Sequence, residues 1–120
     1  MLKNNLRDRT MKFAVRTVRF CQKLPDNWIN RRVGGQLLDA ATSVAMNYRS
    51  ALRGRSRAEF IAKLGIAVEE ADESEGWLDL MGQAEVCRGD ERDWLFNESK
   101  ELLAILSAAQ KTAKENRQQT

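Results

Sequence analysis

Apolar side chains in the first part of the chain return every three or four positions, at Met11, Ala14, Val18 and Cys21, with Phe13, Val15, Phe20 and Leu24 beside them. That spacing follows the 3.6-residue turn and predicts a first helix from about Leu6 to Leu24 with one broad apolar stripe. Pro25-Asp26-Asn27 closes it, because proline lacks the amide that a helix interior donates and drives the residue before it toward extended backbone. Asp26 or Asn27 then caps a short turn carrying Trp28 and Ile29, whose large side chains are expected to cover one end of the core. A second helix is predicted from about Asn30 to Leu52, with Val33, Leu37, Ala40, Ala41, Val44, Ala45, Tyr48 and Leu52 inward. Its small middle residues allow a neighbouring helix to come close. Gly54 is expected to end it with a positive φ.

Ser56-Arg57-Ala58-Glu59 reads as a capping box: the serine oxygen accepts from the Glu59 amide and the Glu59 side chain returns a bond to the serine amide. The third helix runs from there to about Met81 or Gly82, with Phe60, Ile61, Leu64, Ala67, Val68, Ala71, Leu78 and Met81 inward and Trp77 at the edge. After a connection over 85–90, Asp90 or Gly89 caps a fourth helix bearing Trp94, Leu95, Leu102, Leu103, Ile105, Leu106 and Ala109. No segment alternates as a half-buried strand does. Four helices with short connections pack as an all-α, antiparallel up-down-up-down four-helix bundle. The 120 residues make one domain, 1–120, with ends expected to fray at about 1–5 and 115–120.

Composition narrows the chemistry. The chain has no His and only two Cys, far apart at Cys21 and Cys87, which removes the commonest catalytic base and any zinc or disulfide framework. Cys21 is expected in the core and Cys87 in an exposed loop. No apolar run, with Leu64 to Val68 among the longest, comes near the roughly 20 residues of a membrane span, and no apolar stretch of a signal peptide follows the N-terminus. A cytoplasmic protein without cofactor, metal or membrane association is the expectation.

Charge is distributed unevenly behind a net +3. Residues 1–25 hold seven bases against Asp8, and residues 26–57 hold six arginines against Asp26 and Asp39. Residues 58–98 reverse the sign with twelve acids against three bases. Guanidinium groups match phosphate geometry, so Arg49, Arg53, Arg55 and Arg57, together with Lys12, Arg16, Arg19 and Lys23, are candidates for contact with an RNA or DNA backbone. The same arginines can pair with acids instead. Glu69, Glu70 and Glu73 are expected opposite the Arg-rich helices or at an interface, since a carboxylate metal site of the bundle type also takes His. Asn47, one turn beyond Ser43 and next to Tyr48, is expected to join Ser43 and Glu70 or Glu73 in a network that fixes helix register. Neither a phosphate-binding glycine loop nor a catalytic triad is present, which argues against an enzyme.

The segments Thr42 to Arg49, Arg55 to Leu64 and Ala67 to Leu78 resemble bacterial four-helix-bundle proteins encoded in intervening sequences of 23S ribosomal RNA genes. The accessory variability determinant of diversity-generating retroelements is a relative of that family. Asn47, Tyr48 and Arg49 match the family's Asn-Tyr-Arg signature, and Glu69, Glu70, Glu73 and Trp77 match its third-helix pattern. The resemblance implies a non-enzymatic bundle that assembles as a homopentamer with a basic surface. It also implies a nucleic-acid partner and a reverse transcriptase or RNA-processing partner. Where the family commonly carries an acid between the Asn-Tyr-Arg and Ser-Arg elements, this chain has Arg53 and Arg55, which strengthens the local positive field.

Overall fold

The computed structural model describes the backbone of residues 2–119 and the side chains of residues 5–116. Among the described residues the chain forms four helices and no strand: α1 (Leu2–Gln22), α2 (Trp28–Leu52), α3 (Arg57–Gln83) and α4 (Asp90–Gln119). The expected fraying at 1–5 and 115–120 falls at ends where residues 1 and 120, and the side chains of 2–4 and 117–119, lie outside the described residues. Each helix packs on the next in an antiparallel bundle of about 52 × 24 × 21 Å. The contact between α1 and α4 that completes the circuit is the sparsest. Phe13, Leu37, Val44, Leu64, Leu78, Met81, Leu95, Leu102 and Leu106 are wholly buried between the helices.

The core also takes polar residues that hydrophobic spacing passes over. Thr10, Thr17, Ser74 and Ser99 are buried. Each hydroxyl donates to a carbonyl of its own helix three or four residues back: Thr10 to Arg7, Thr17 to Phe13, Ser74 to Glu70 and Ser99 to Phe96, at 2.7–3.0 Å. A hydroxyl satisfied in this way behaves as a small core residue, because its one donor needs nothing from the neighbouring helices.

The connections depart from expectation in four places. Asn27 caps α2 itself, accepting from the Asn30 amide at 2.9 Å, so Trp28 and Ile29 open the helix and are not carried on a separate turn. They do not cover the core: Trp28 is 67% exposed and Ile29 46%. Gly54 has no positive φ. Arg53 ends α2 at φ −99°, and Gly54 is needed for space, since a Cβ there would stand 3.1 Å from the Ala51 carbonyl oxygen and 3.2 Å from the Phe60 amide. Ser56 does cap α3 through the Glu59 amide at 3.1 Å, but no return bond from the Glu59 side chain completes the box among the described residues. Cys87 is half-buried against the core, and burial pushes its thiol up.

The α3–α4 turn closes through the left-handed residue Glu85, at φ +57°. The Val86 amide donates to Met81 (3.0 Å) and the Glu85 amide to Gly82 (3.3 Å), the paired bonds of a Schellman ending, and Val86 packs against the core. Gly89, at φ +131°, then turns the chain into α4. A side chain at the left-handed position costs about 1 kcal/mol that glycine does not. Glu85→Gly is therefore expected to stabilise the bundle by about 0.5–1 kcal/mol, read by urea denaturation, with loss of the exposed Arg88–Glu85 pair too weak to cancel it.

Candidate nucleic-acid interface

Antiparallel packing sorts the cations predicted from sequence into three environments. The first is the seam between α1 and α4. Because these helices run in opposite directions, residues 9 and 16 of one face residues 98 and 91 of the other. Arg9 donates through Nε and Nη2 to the two carboxylate oxygens of Glu98 at 3.1 and 2.7 Å, and Arg16 grips Glu91 in the same forked way at 2.9 and 2.5 Å. The hydrogen bond from Arg16 holds the Glu91 carboxyl below its ordinary value and raises the guanidinium's own. Trp94 lies beneath both candidates on this face, 3.6 Å from the Arg16 Cζ and 5.7 Å from the Lys12 Nζ. Arg16 is thus committed to joining helices, and Lys12, though exposed, sits over an aromatic ring.

The second environment is the α1–α2 end of the bundle. Arg19 and Lys23 are exposed there with Arg31 and Arg32, and Arg31 reaches Asp26 at 2.5 Å. The third is the opposite end, at the α2–α3 turn. Arg49, Arg53, Arg55 and Arg57 are all exposed. Among the described residues none of the four forms an ion pair. The bundle's order brings more charge to this end than sequence reasoning assigned to it. The last turns of α4 lie beside the turn, where Thr112 and Asn116 line one hollow with Gly54 and Arg57, so the exposed Lys111 and Lys114 belong to the same end of the bundle, on a face of α4 turned away from that hollow. Arg7, near the start of α1, is exposed at the same end. Their signal was available in the topology, since alternate helix ends of an up-down bundle must meet.

The proposed register network is not formed. The Asn47 amide donates within its own helix, to the Ser43 carbonyl (2.9 Å) and the Ser43 hydroxyl (2.8 Å), and is half-buried. No acid of α3 takes part, because hydrogen-bonding back one turn leaves the amide's donors with nothing to seek across the interface. Tyr48 is buried, which raises its phenol, and Trp77 packs at the core's edge.

The α3 acids do not meet the arginines of α2 either. Glu69, Asp72 and Glu73 are exposed, and Glu70 is half-buried. Burial, then Glu73, Glu69 and Asp39 in turn, push the Glu70 carboxyl up. Like charges stand together here because the arginines of α2 stand near its two ends, Arg31 and Arg32 at the start and Arg49 at the finish, each more than a helical turn from Asp39. Among the described residues no cluster of three or more His, Cys, Asp or Glu is placed to hold a metal ion. A raised carboxyl opposes folding once ionised, so stability is lost as pH rises through the Glu70 titration. Glu70→Gln is expected to raise stability at pH 7 by about 0.5 kcal/mol, a gain that disappears below about pH 4, where glutamate is neutral in both states. Thermal unfolding at the two pH values checks it.

Four antiparallel helices, a core sealed by intrahelical hydroxyl bonds and opposed basic and acidic regions define a charged four-helix-bundle protein. The family model for 23S rRNA-intervening sequence proteins matches residues 3–108, and the chain belongs to that family. A crystal structure at 1.70 Å of a protein of unknown function, from the S23 ribosomal protein family of Bacteroides thetaiotaomicron, is similar to it, with 34% identity and a TM-score of 0.84. The likeness covers 92% of this chain and 99% of that one. No curated protein matches. Among the described residues no helix is long and apolar enough to cross a membrane.

Proposed function

We propose that this protein is a non-enzymatic, self-assembling bundle that holds RNA or DNA by its phosphate backbone, through the basic end at the α2–α3 turn. The observation that carries the reading is the set Arg49, Arg53, Arg55 and Arg57, exposed together at one end of the bundle and without a carboxylate partner among the described residues. Forked donors on two helices and their turn suit phosphate oxygens and carry no base readout. A non-enzymatic role agrees with both thiols being pushed up by burial, Cys21 to about 11, which leaves them protonated and poorly nucleophilic. The resemblance to the retroelement relative supports assembly as a ring of five and a reverse transcriptase or RNA-processing enzyme as protein partner, in a cytoplasmic setting.

A second reading follows from the unpaired α3 acids. In a ring, the acidic band of one copy can meet the basic end of the next, since the two surfaces of a heterologous interface differ. Titration of labelled single-stranded RNA, single-stranded DNA and duplex DNA at 50 and 200 mM salt separates the readings. Backbone binding gives affinity that falls steeply with salt. Absence of binding at 50 mM, with oligomers broken by Arg55→Ala and Arg57→Ala, assigns the arginines to assembly.

A further inference from the structure

The α1–α2 end carries an exposed aromatic side chain for which the fold has no use. The connection is held without it: Asn27 accepts from the Asn30 amide at 2.9 Å, and the Asn30 side chain, itself buried, donates to the Pro25 carbonyl at 2.8 Å. Trp77 and Trp94 pack against the core, whereas Trp28 stands 67% exposed at the first residue of α2 with Ile29 beside it. An indole offers a large flat face, and leaving it in water forgoes the burial that normally rewards tryptophan.

Its neighbours are cationic. Arg31 and Arg32 follow Trp28 at i+3 and i+4, so ring and guanidinium groups share one face of the helix. Asp26 is the acid of this turn, and its pair with Arg31 is open to solvent, with side-chain exposures of 62% and 84%. Arg32 has no carboxylate partner among the described residues, whereas Lys23 faces Glu91 of α4, whose carboxyl it helps to hold down. A flat aromatic face one helical turn from an unneutralised cation combines the two elements by which proteins hold unpaired nucleotides, a base stacked on the ring and a phosphate on the adjacent charge.

We infer that Trp28, with Arg32, is a stacking contact for an unpaired base of a single-stranded nucleic acid. The inference rests on the proposed backbone binding and adds to it a preference for single strands, because bases within a duplex show the ring no free face. The positive charge selects an anionic occupant. Two neighbouring apolar side chains offer far less than the roughly 800 Å² per partner of a stable protein interface. The contact is separate from the basic end at the α2–α3 turn. The 25 residues of α2 span about 37 Å, and the acids Asp39, Glu69, Glu70 and Glu73 lie between.

The test compares a 12-nucleotide single-stranded RNA with a DNA duplex of equal length, using the full chain. Trp28→Ala is expected to lower single-strand affinity on the order of 10-fold while leaving duplex affinity within about twofold, and Trp28→Phe to recover most of the loss. The salt dependence stays as steep in Trp28→Ala and becomes shallower in Arg32→Gln, since the first removes stacking and the second a phosphate contact. Binding of the single strand quenches intrinsic tryptophan fluorescence in the wild type and much less in Trp28→Phe. Trp28 is exposed, so the variants fold as the wild type does, and a matching melting temperature verifies this. Unchanged single-strand affinity in Trp28→Ala with duplex binding intact overturns this inference alone, as does a change in subunit number by sedimentation, which would make the tip an assembly contact. Failure of the wild type to bind either nucleic acid at 50 mM salt overturns the proposed function with it.

Discussion

Replacing Arg49, Arg53, Arg55 and Arg57 together by Gln lowers affinity for single-stranded RNA and for duplex DNA alike, by on the order of 100-fold at 50 mM salt. The loss is common to both because phosphate contacts carry no sequence information. Each phosphate contact removed takes about 0.9 from the slope of log affinity against log salt for a duplex, or about 0.7 for a single strand, so loss of all four makes the dependence shallower by about 3. The bundle itself is unaffected, since these side chains reach no carboxylate and glutamine is as good a helix former. Filter binding across a salt series reads both quantities. A variant with unchanged slope removes the α2–α3 end from the function, whatever its effect on assembly. Arg16→Gln is the contrasting control: it releases Glu91 and uncovers Trp94, so it acts on stability.

Arg9→Ala destabilises the fold by about 2 kcal/mol, below the roughly 3–5 kcal/mol of a fully buried pair because Arg9 is itself about a third exposed. The reason lies with its partner. Glu98 is 8% exposed and receives both of its short hydrogen bonds from Arg9, so truncation leaves an ionised carboxylate nearly enclosed, with no protein donor to replace the guanidinium. The position matters more because the α1–α4 packing is the sparsest of the bundle's helix pairs. Arg9→Met with Glu98→Met recovers most of the loss, since removing both charges abolishes the desolvation penalty along with the pair. Urea unfolding of the three variants measures this. The second pair of the seam weakens with acid: Glu91 titrates below its ordinary value in the fold, so its contribution is complete above about pH 4.3 and is lost as pH falls through the lowered folded value.

Much of this molecule follows from local rules. Apolar residues at three- and four-residue spacing, Pro25 after α1 and the serine cap of α3 placed all four helices within a few residues of their ends. Leu37, Val44, Leu64, Leu78 and Leu102 were readable as core because a helix surface has one inward stripe, and large aliphatic residues on it have nowhere else to go. Trp28 and Ile29 were misplaced by the same reasoning. Large apolar side chains near a chain reversal suggest a lid, but once Asn27 starts the helix at Trp28, the ring is left in solvent. The capping bond decides that orientation, and hydrophobicity does not. Thr10, Thr17, Ser74 and Ser99 were missed because a polar letter hides a hydroxyl that can be satisfied inside its own helix.

The candidate site divides along the same line. That the first 57 residues are basic and that Arg49 to Arg57 cluster was plain in the amino-acid order. Which of those charges remain available was not, because an ion pair depends on residues more than seventy positions apart, as Arg16 and Glu91 are. The sequence by itself determined the helices, their buried stripes and the sign of charge on each segment, since all three depend on neighbours within a turn or two. The tertiary structure alone decided that Arg9 and Arg16 bind α4, that α3's acids stand unneutralised beside Asp39, and that the last turns of α4 lie beside the arginine turn. The strength of a charge's partners falls with distance in space, and distance in space is set by how helices pack.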